Sequence, residues 1–411
     1  MPNSSSHAAR ATGEPESAYA WMRLATSVLI GTVGSVGMWS VVVALPAVQA
    51  EFATARADAS LPYTLAMIGF AAGAVLIGQL ADRRGIVVCV KLGALALTIG
   101  FIASAFAANI WQFALVHLLI GFGSSATFAP LISDISHWFD RRRGIAVAVC
   151  ASGNYLGGTV WPPIVNFLIA ASGWRFTQIV VGGVCLATMV PITHLMQRRI
   201  SAAGLAASNG ASFAGNGALG LNPMALQLLL CLAGVACCVA MSMPQVHIVA
   251  YCGDLGYGVA RGAEMLSLMM GFGIVSRIAS GFIADRIGGL ATLLLGSALQ
   301  GLALLLYLMF DGLTSLYVVS ALFGLFQGGI VPMYAIIVRE YFPPQESGTR
   351  VGVVIMATIV GMALGGWMSG AIFDLTGSYW QAFANGLLWN LLNMTIVLFL
   401  LLRSRRATAL A

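Results

Sequence analysis

Twelve apolar runs, each about 20 residues or longer, take up almost the whole of this chain. They fall near residues 24–48, 61–81, 86–108, 111–137, 143–170 and 175–197, and then near 223–251, 262–284, 290–310, 314–340, 350–373 and 379–402. A helix rises about 1.5 Å per residue, so each run is long enough to cross the ~30 Å hydrocarbon core of a bilayer. The expected fold class is therefore an all-α membrane protein with twelve transmembrane helices. Of the 411 residues, 59% are hydrophobic and only 8% are charged, against about 25% charged in a soluble domain. Short loops account for the remainder, and no length is left for a sizeable soluble domain.

The first run ends in Val48-Gln49-Ala50, which has the form of a signal-peptidase site. At about 25 residues it exceeds an h-region, so it reads as an uncleaved first helix. Residues 1–22 are expected to be a disordered cytoplasmic N-terminus and residues 201–222, rich in Gly, Ala, Ser and Asn, a cytoplasmic linker. The linker separates two six-helix bundles, 23–200 and 223–403, and a tail follows at 404–411. An even number of spans places both termini on one side. Sixteen of the 20 Lys and Arg residues fall on that side, three on the other, and one inside a span. The positive-inside rule then puts the termini and linker in the cytoplasm. The net charge of +6 is thus a topology signal, not a nucleic-acid-binding patch. The seven cysteines lie in or beside apolar runs without metal-site spacing and read as small buried hydrophobes. Phosphate-binding loops, H-E-x-x-H and G-x-S-x-G are absent from the sequence, so no enzyme, cofactor or metal is expected.

The single charge inside a span is Arg277, in the stretch 263–289. It precedes Asp285-Arg286, the expected water boundary, by eight residues, or about 12 Å along a helix. A guanidinium stays charged there, at a cost of about 2.5–3.5 kcal/mol on insertion scales. A cation so placed reads as a functional group facing a protein-lined, water-accessible cavity. The competing reading is a structural arginine, hydrogen-bonded to helix ends or snorkelling to the surface.

The halves repeat. GQLADRRG at 78–85 recurs as GFIADRIG at 281–288, and Ser172-Gly173-Trp174-Arg175 has a weaker echo in Thr376-Gly377-Ser378-Tyr379. Parallel six-helix repeats with substrate held between them near the midplane are one of the transporter designs. The G-x-x-x-D-R-x-G loop after the second and eighth spans resembles the signature of the major facilitator superfamily, which implies two pseudo-twofold-related six-helix bundles. Ile86 and Val87 stand where that family often has a second basic pair.

A second resemblance is narrower. WFDRRRGIAVAVCASG at 138–153 resembles, in register, the monocarboxylate transporter signature Y-F-x-K-R-R-x-L-A-x-G/A-x-A-x-A-G. ESAYAW at 16–21 is a looser version of that family's motif before its first span. The resemblance implies that Arg277 pairs with a substrate carboxylate. Gly273 stands where the family has an acid, and 26–49 contains no counterpart of its first-span lysine. A drug–proton antiporter, a more distant alternative, calls for G-x-x-x-G-P-x-x-G-G in the fifth span. Here Gly157-Gly158 is followed by Trp161-Pro162-Pro163.

Further candidates for a substrate cavity are Asn154 and Tyr155 in the fifth span, Tyr334 in the tenth, Trp367 in the eleventh and Trp39 in the first, each weighed against ordinary helix packing. Gly and Pro around Tyr334 loosen its helix and bring backbone near a ligand. His247 reads as an outer-gate or proton-relay residue in a layer different from Arg277. Asp82, Asp134, Asp285 and Arg350 form a candidate cytoplasmic gate bridging the halves, with loop charges that only set topology as the plain alternative. The expected function is a monomeric inner-membrane carrier of small monocarboxylates by alternating access, with a proton as co-substrate. An oxalate:formate-type exchanger is the closest alternative.

Overall fold

Glycines end helices at matching places in the two halves, and this sets the repeat in three dimensions. Gly85 (φ 86°, ψ 162°) and Gly288 (φ 82°, ψ 165°) occupy a backbone region that is essentially glycine-only. Each donates its N–H back into the preceding helix, to Ala81 and Ala284 respectively. The two copies of the repeated loop thus make the same turn.

The computed structural model describes residues 12–13, 16–139, 142–200 and 221–410. Its first span, Ala18–Phe52, is broken at Ser35 into Ala18–Gly34 and Val36–Phe52. The second is Arg56–Arg84 and the third Ile86–Ala105; the fourth comprises Ile110–Ser125 and Ala129–Trp138. The fifth and sixth lie within Arg143–Ile192 and are separated at Gly173 (φ 81°, ψ 161°). The second half contains Pro223–Asp254, Val259–Ile287, Gly289–Met309, Leu313–Gln327 with Ile330–Tyr341, Pro344–Thr376 and Tyr379–Leu410. Eleven segments are long and apolar enough to cross a membrane, and one of them, Gly144–Met196, holds the fifth and sixth spans together. The described chain is therefore twelve spans in two six-helix bundles, with a two-residue pairing of Thr12–Gly13 with Arg199–Ile200 as its only extended structure.

Two boundaries differ from expectation. The first helix begins at Ala18, ahead of residue 23, because the Ser17 side chain accepts from Ala20 N and caps it. The last helix continues past 403 to Leu410. Residues 201–220 of the expected linker lie outside the described residues.

Across the bundles, the second span packs on the eleventh, the fifth on the eighth, and the outer part of the first on the seventh. Small residues allow close approach within a bundle too: a Cβ on Gly153 would come within 2.8 Å of Val28 O in the first span. Large apolar side chains such as Leu115, Phe167, Phe282 and Leu388 remain exposed, as a lipid-facing surface requires.

Candidate functional site

Arg277 lies where the bundles meet. Its Nε donates to Gly328 O (3.4 Å) and its Nη1 to Ala151 O (3.2 Å), so it touches both halves. Proline explains the first contact. A helical carbonyl accepts from the N–H four residues on, but Pro332 has none, which leaves Gly328 O for Arg277. The same device recurs nearer the outer face: Pro163 frees Thr159 O, and Ser267 Oγ donates to it across the bundle interface.

The face of Arg277 is covered by Tyr155, with the guanidinium carbon 4.4 Å from the ring centroid. Gly273, one turn earlier on the eighth span, makes room for that ring, since any Cβ there would collide with Tyr155 Cε1 and Cδ1. A neutral aromatic face therefore fills the space where the resembled family has an acid. Among the described residues no carboxylate pairs with Arg277, and its Nη2 makes no hydrogen bond.

The other candidates separate into two groups. Trp39 is buried against Gly158 and Met270 on the same contact between the first, fifth and eighth spans, and its indole N–H has no partner. Asn154 Nδ2 reaches Met38 Sδ at 3.5 Å. Tyr334 instead turns into the second bundle, where its fully buried hydroxyl donates to Asn393 Oδ1 and Asn393 Nδ2 donates to Ser297 Oγ. Trp367 is 39% exposed on the eleventh span and makes no ring or hydrogen-bond contact with Arg277.

On the face opposite the termini, the outer face, a polar chain ties the bundles together. Arg56 opens the second span and is held by Asp254 at the end of the seventh, Nη1 to Oδ2 at 3.0 Å and Nη2 to Oδ1 at 3.1 Å. Its Nη1 also donates to Tyr379 Oη (2.6 Å), and its guanidinium lies 4.7 Å from the Phe373 ring. Asp374 accepts from the backbone N–H groups of Arg56 and Ala57, capping the second span from the other bundle. His247, fully buried, contacts Tyr379 Oη through Nδ1 (3.0 Å) and Gly366 O through Nε2 (2.8 Å). An open cavity of about 420 Å³, lined by Gln49, Thr54, Arg56 and Asp254 among others, lies above this lock. Sequence reasoning found only His247 here. The one signal for Arg56 was its rarity as a basic residue on that side.

The opposite, inner face is organised differently. Arg23 makes a two-pronged pair with Asp134 (2.7 and 2.8 Å) and donates to Met196 O and Arg198 O, all within the first bundle. Arg350 pairs with Glu346 one turn away and reaches Gln227. Asp285 is exposed, and the Asp82 side chain lies outside the described residues. Of the gate candidates, Asp134 and Arg350 are thus each held within their own bundle and not paired with each other. The two monocarboxylate-type motifs do meet: Glu16 Oε1 accepts from Arg142 N, and Trp21 packs edge-on against Phe139. Hydrogen bonds between the bundles run from Arg56 down to Arg277 and, among the described residues, no further.

Comparison with known proteins places this architecture. The sequence profile described as "Major Facilitator Superfamily" matches residues 28–315 and 265–410. Monocarboxylate transporter 13 of Rattus norvegicus is 26% identical over 383 residues, covering 90% of this chain and 86% of that one. The MFS-type transporter pynF of Aspergillus niger is 24% identical over 313 residues, covering 76% of this chain and 71% of its own. Among solved structures, a bacterial homologue of the human lysosomal transporter Spinster, inward-facing and occupied, matches with a TM-score of 0.68 at 15% identity, covering 95% of this chain and 96% of that one. Two connected bundles, the repeated loop and these matches together establish that the chain belongs to the Major Facilitator Superfamily of membrane transporters and, within it, resembles the monocarboxylate transporters.

Proposed function

We propose that this chain is a secondary active carrier of small monocarboxylates, lactate- or pyruvate-like acids, working by alternating access with a proton as co-substrate. It works as a monomer in the inner membrane, with both termini in the cytoplasm. The observation that carries this reading is Arg277: a guanidinium in mid-span, held only by neutral groups, with one nitrogen free of hydrogen bonds. A carboxylate that reaches Arg277 meets a planar donor fork that it can engage with both oxygens. Its hydrogen bonds to Gly328 O and Ala151 O are long, so an anionic acceptor readily replaces them. Tyr155, Trp39 and Asn154, with Met38 and Met270 beside them, offer a mostly apolar lining for a short carbon chain. The relative named monocarboxylate transporter 13 supports the same substrate class.

Around this site, His247 is the proposed proton carrier at the outer gate. Asp134 and Arg350, each now held within its own bundle, are proposed to meet when the cytoplasmic side closes, together with Asp82 and Asp285 of the repeated loops. One observation favours a second reading, organic-anion exchange of the oxalate:formate type. With Gly273 in place of an acid, an empty carrier returns with Arg277 uncompensated, and a carrier that always returns loaded avoids that cost.

The test is uptake of labelled lactate and pyruvate into proteoliposomes. Wild type is expected to take them up when the outside is made acidic, and Arg277→Gln to lose at least about a hundredfold in rate at equal abundance, since one lost charged contact costs about 3 kcal/mol or more. Normal saturable uptake by Arg277→Gln overturns the site. Uptake that requires acid preloaded inside overturns proton symport and favours exchange.

A further inference from the structure

We infer that Tyr379 is a positioning residue of the outer lock, the group through which a proton on His247 is felt by Arg56. The inference rests on the proton-coupled reading above and adds the link between proton and gate.

The hydrogen atoms in the chain follow from the partners. His247 Nε2 faces Gly366 O, which can only accept, so Nε2 carries the ring hydrogen. Arg56 Nη1 can only donate, so Tyr379 Oη accepts from it. The Tyr379 hydroxyl hydrogen is then left to point at Nδ1, and the neutral imidazole accepts it. Three donors in this arrangement each meet an acceptor, Arg56 Nη1 at Tyr379, Tyr379 at His247 and His247 at Gly366, while Arg56 Nε has no partner.

A proton taken from outside water can add only at Nδ1, the one basic nitrogen left. The new Nδ1–H faces the Tyr379 oxygen, the hydroxyl's hydrogen bond to Nδ1 is broken, and two cations now meet at a single oxygen. The neighbouring acids are already engaged. Asp254 is taken by the Arg56 guanidinium, and Asp374 by the N–H groups of Arg56 and Ala57. These two acids, Arg56, Tyr379 and, on its own helix, Tyr251 are the charged and titratable groups gathered at His247 from the second, seventh, eleventh and twelfth spans. Relief comes from withdrawing Arg56, the residue that holds the second span to the seventh and twelfth. Protonation therefore unlocks the outer face, and return of the proton to water restores the lock.

Tyr379→Phe separates this role from packing, because its ring still lies on Phe373 and Tyr251. The readout is backbone hydrogen exchange of the full chain in lipid nanodiscs, without substrate, at the outer ends of the second and seventh spans, corrected for intrinsic rate. If one proton opens the lock, wild-type opening rises by up to about tenfold per pH unit of acidification. Tyr379→Phe should flatten this response to less than about twofold while remaining folded. A Tyr379→Phe variant that keeps the wild-type response overturns the inference. Should that variant be open at every pH, His247→Gln supplies the test: it must stay closed and pH-insensitive, and an acid response there also overturns the inference. No acid opening in wild type, with acid-driven lactate uptake intact, sinks the link and spares the transport reading. Acid opening without acid-driven uptake does the reverse to proton symport.

Discussion

Two arginine–aspartate pairs in this protein have nearly the same chemistry and serve opposite purposes. Arg23 is gripped at two nitrogens by Asp134, lies 4.8 Å from the Trp138 ring and touches the Tyr19 hydroxyl. Arg56 is gripped at two nitrogens by Asp254, lies 4.7 Å from the Phe373 ring and touches the Tyr379 hydroxyl. The difference lies in what each joins. Arg23 binds the first, fourth and sixth spans of one bundle to each other, so the outer face can open with this pair intact. Arg56 binds one bundle to the other, and the outer face cannot open until it lets go. A buried ion pair thus acts as a staple or as a latch according to whether its partners belong to one rigid body or to two.

The strongest way to break the comparison is to remove the staple. Arg23 is only 3% exposed, and Arg23→Gln leaves Asp134 without its partner. Breaking a buried pair from one side costs about 3–5 kcal/mol, so folded protein is expected to be nearly lost from membranes. Thermal unfolding in detergent and membrane abundance measure this; a Tm close to wild type would show that the pair is dispensable. Asp254→Asn should behave differently. Its carboxylate is 36% exposed, and Arg56 retains Tyr379, so stability should hardly change. Instead the balance should move toward the outward-open form by roughly tenfold, the worth of about 1.4 kcal/mol, read by labelling of outer-face cysteines introduced between the bundles. Loss of folding there would make Arg56–Asp254 a staple after all. Glu264→Gln removes the third kind of pair, Arg261–Glu264, which is exposed and lies three residues apart on one helix. Glu264 also accepts from the Tyr317 hydroxyl on the tenth span, which belongs to the same bundle, so nothing is joined across the two bundles. Conformational balance should not move measurably, and Tm should fall by no more than an exposed contact is worth.

The difference between staple and latch also marks what could be read in advance. The spans were legible because bilayer thickness imposes a length and the absence of water imposes apolarity, and both are properties of a single run. The repeated loop was legible because Gly85 and Gly288 must take the same glycine-only turn. Arg277 stood out because a charge in hydrocarbon is costly wherever its neighbours are. Tyr334 illustrates the limit: its helix is loosened at Gly328-Gly329 as expected, yet its side chain points into the second bundle toward Asn393. Depth along a helix was available from counting, whereas the direction around it was not.

The amino-acid sequence by itself determined the twelve membrane-spanning helices, the twofold repeat and the isolated intramembrane cation, because each follows from local chemistry repeated along one segment. Tertiary structure alone decided the neutral setting of Arg277, in which the ring of Tyr155 takes the space that Gly273 leaves open. It alone decided the outer latch, whose members Arg56 and Tyr379 stand 323 residues apart. A hydrogen bond depends on a separation of about 3 Å and on direction, and neither quantity is defined between distant residues until the two bundles have packed.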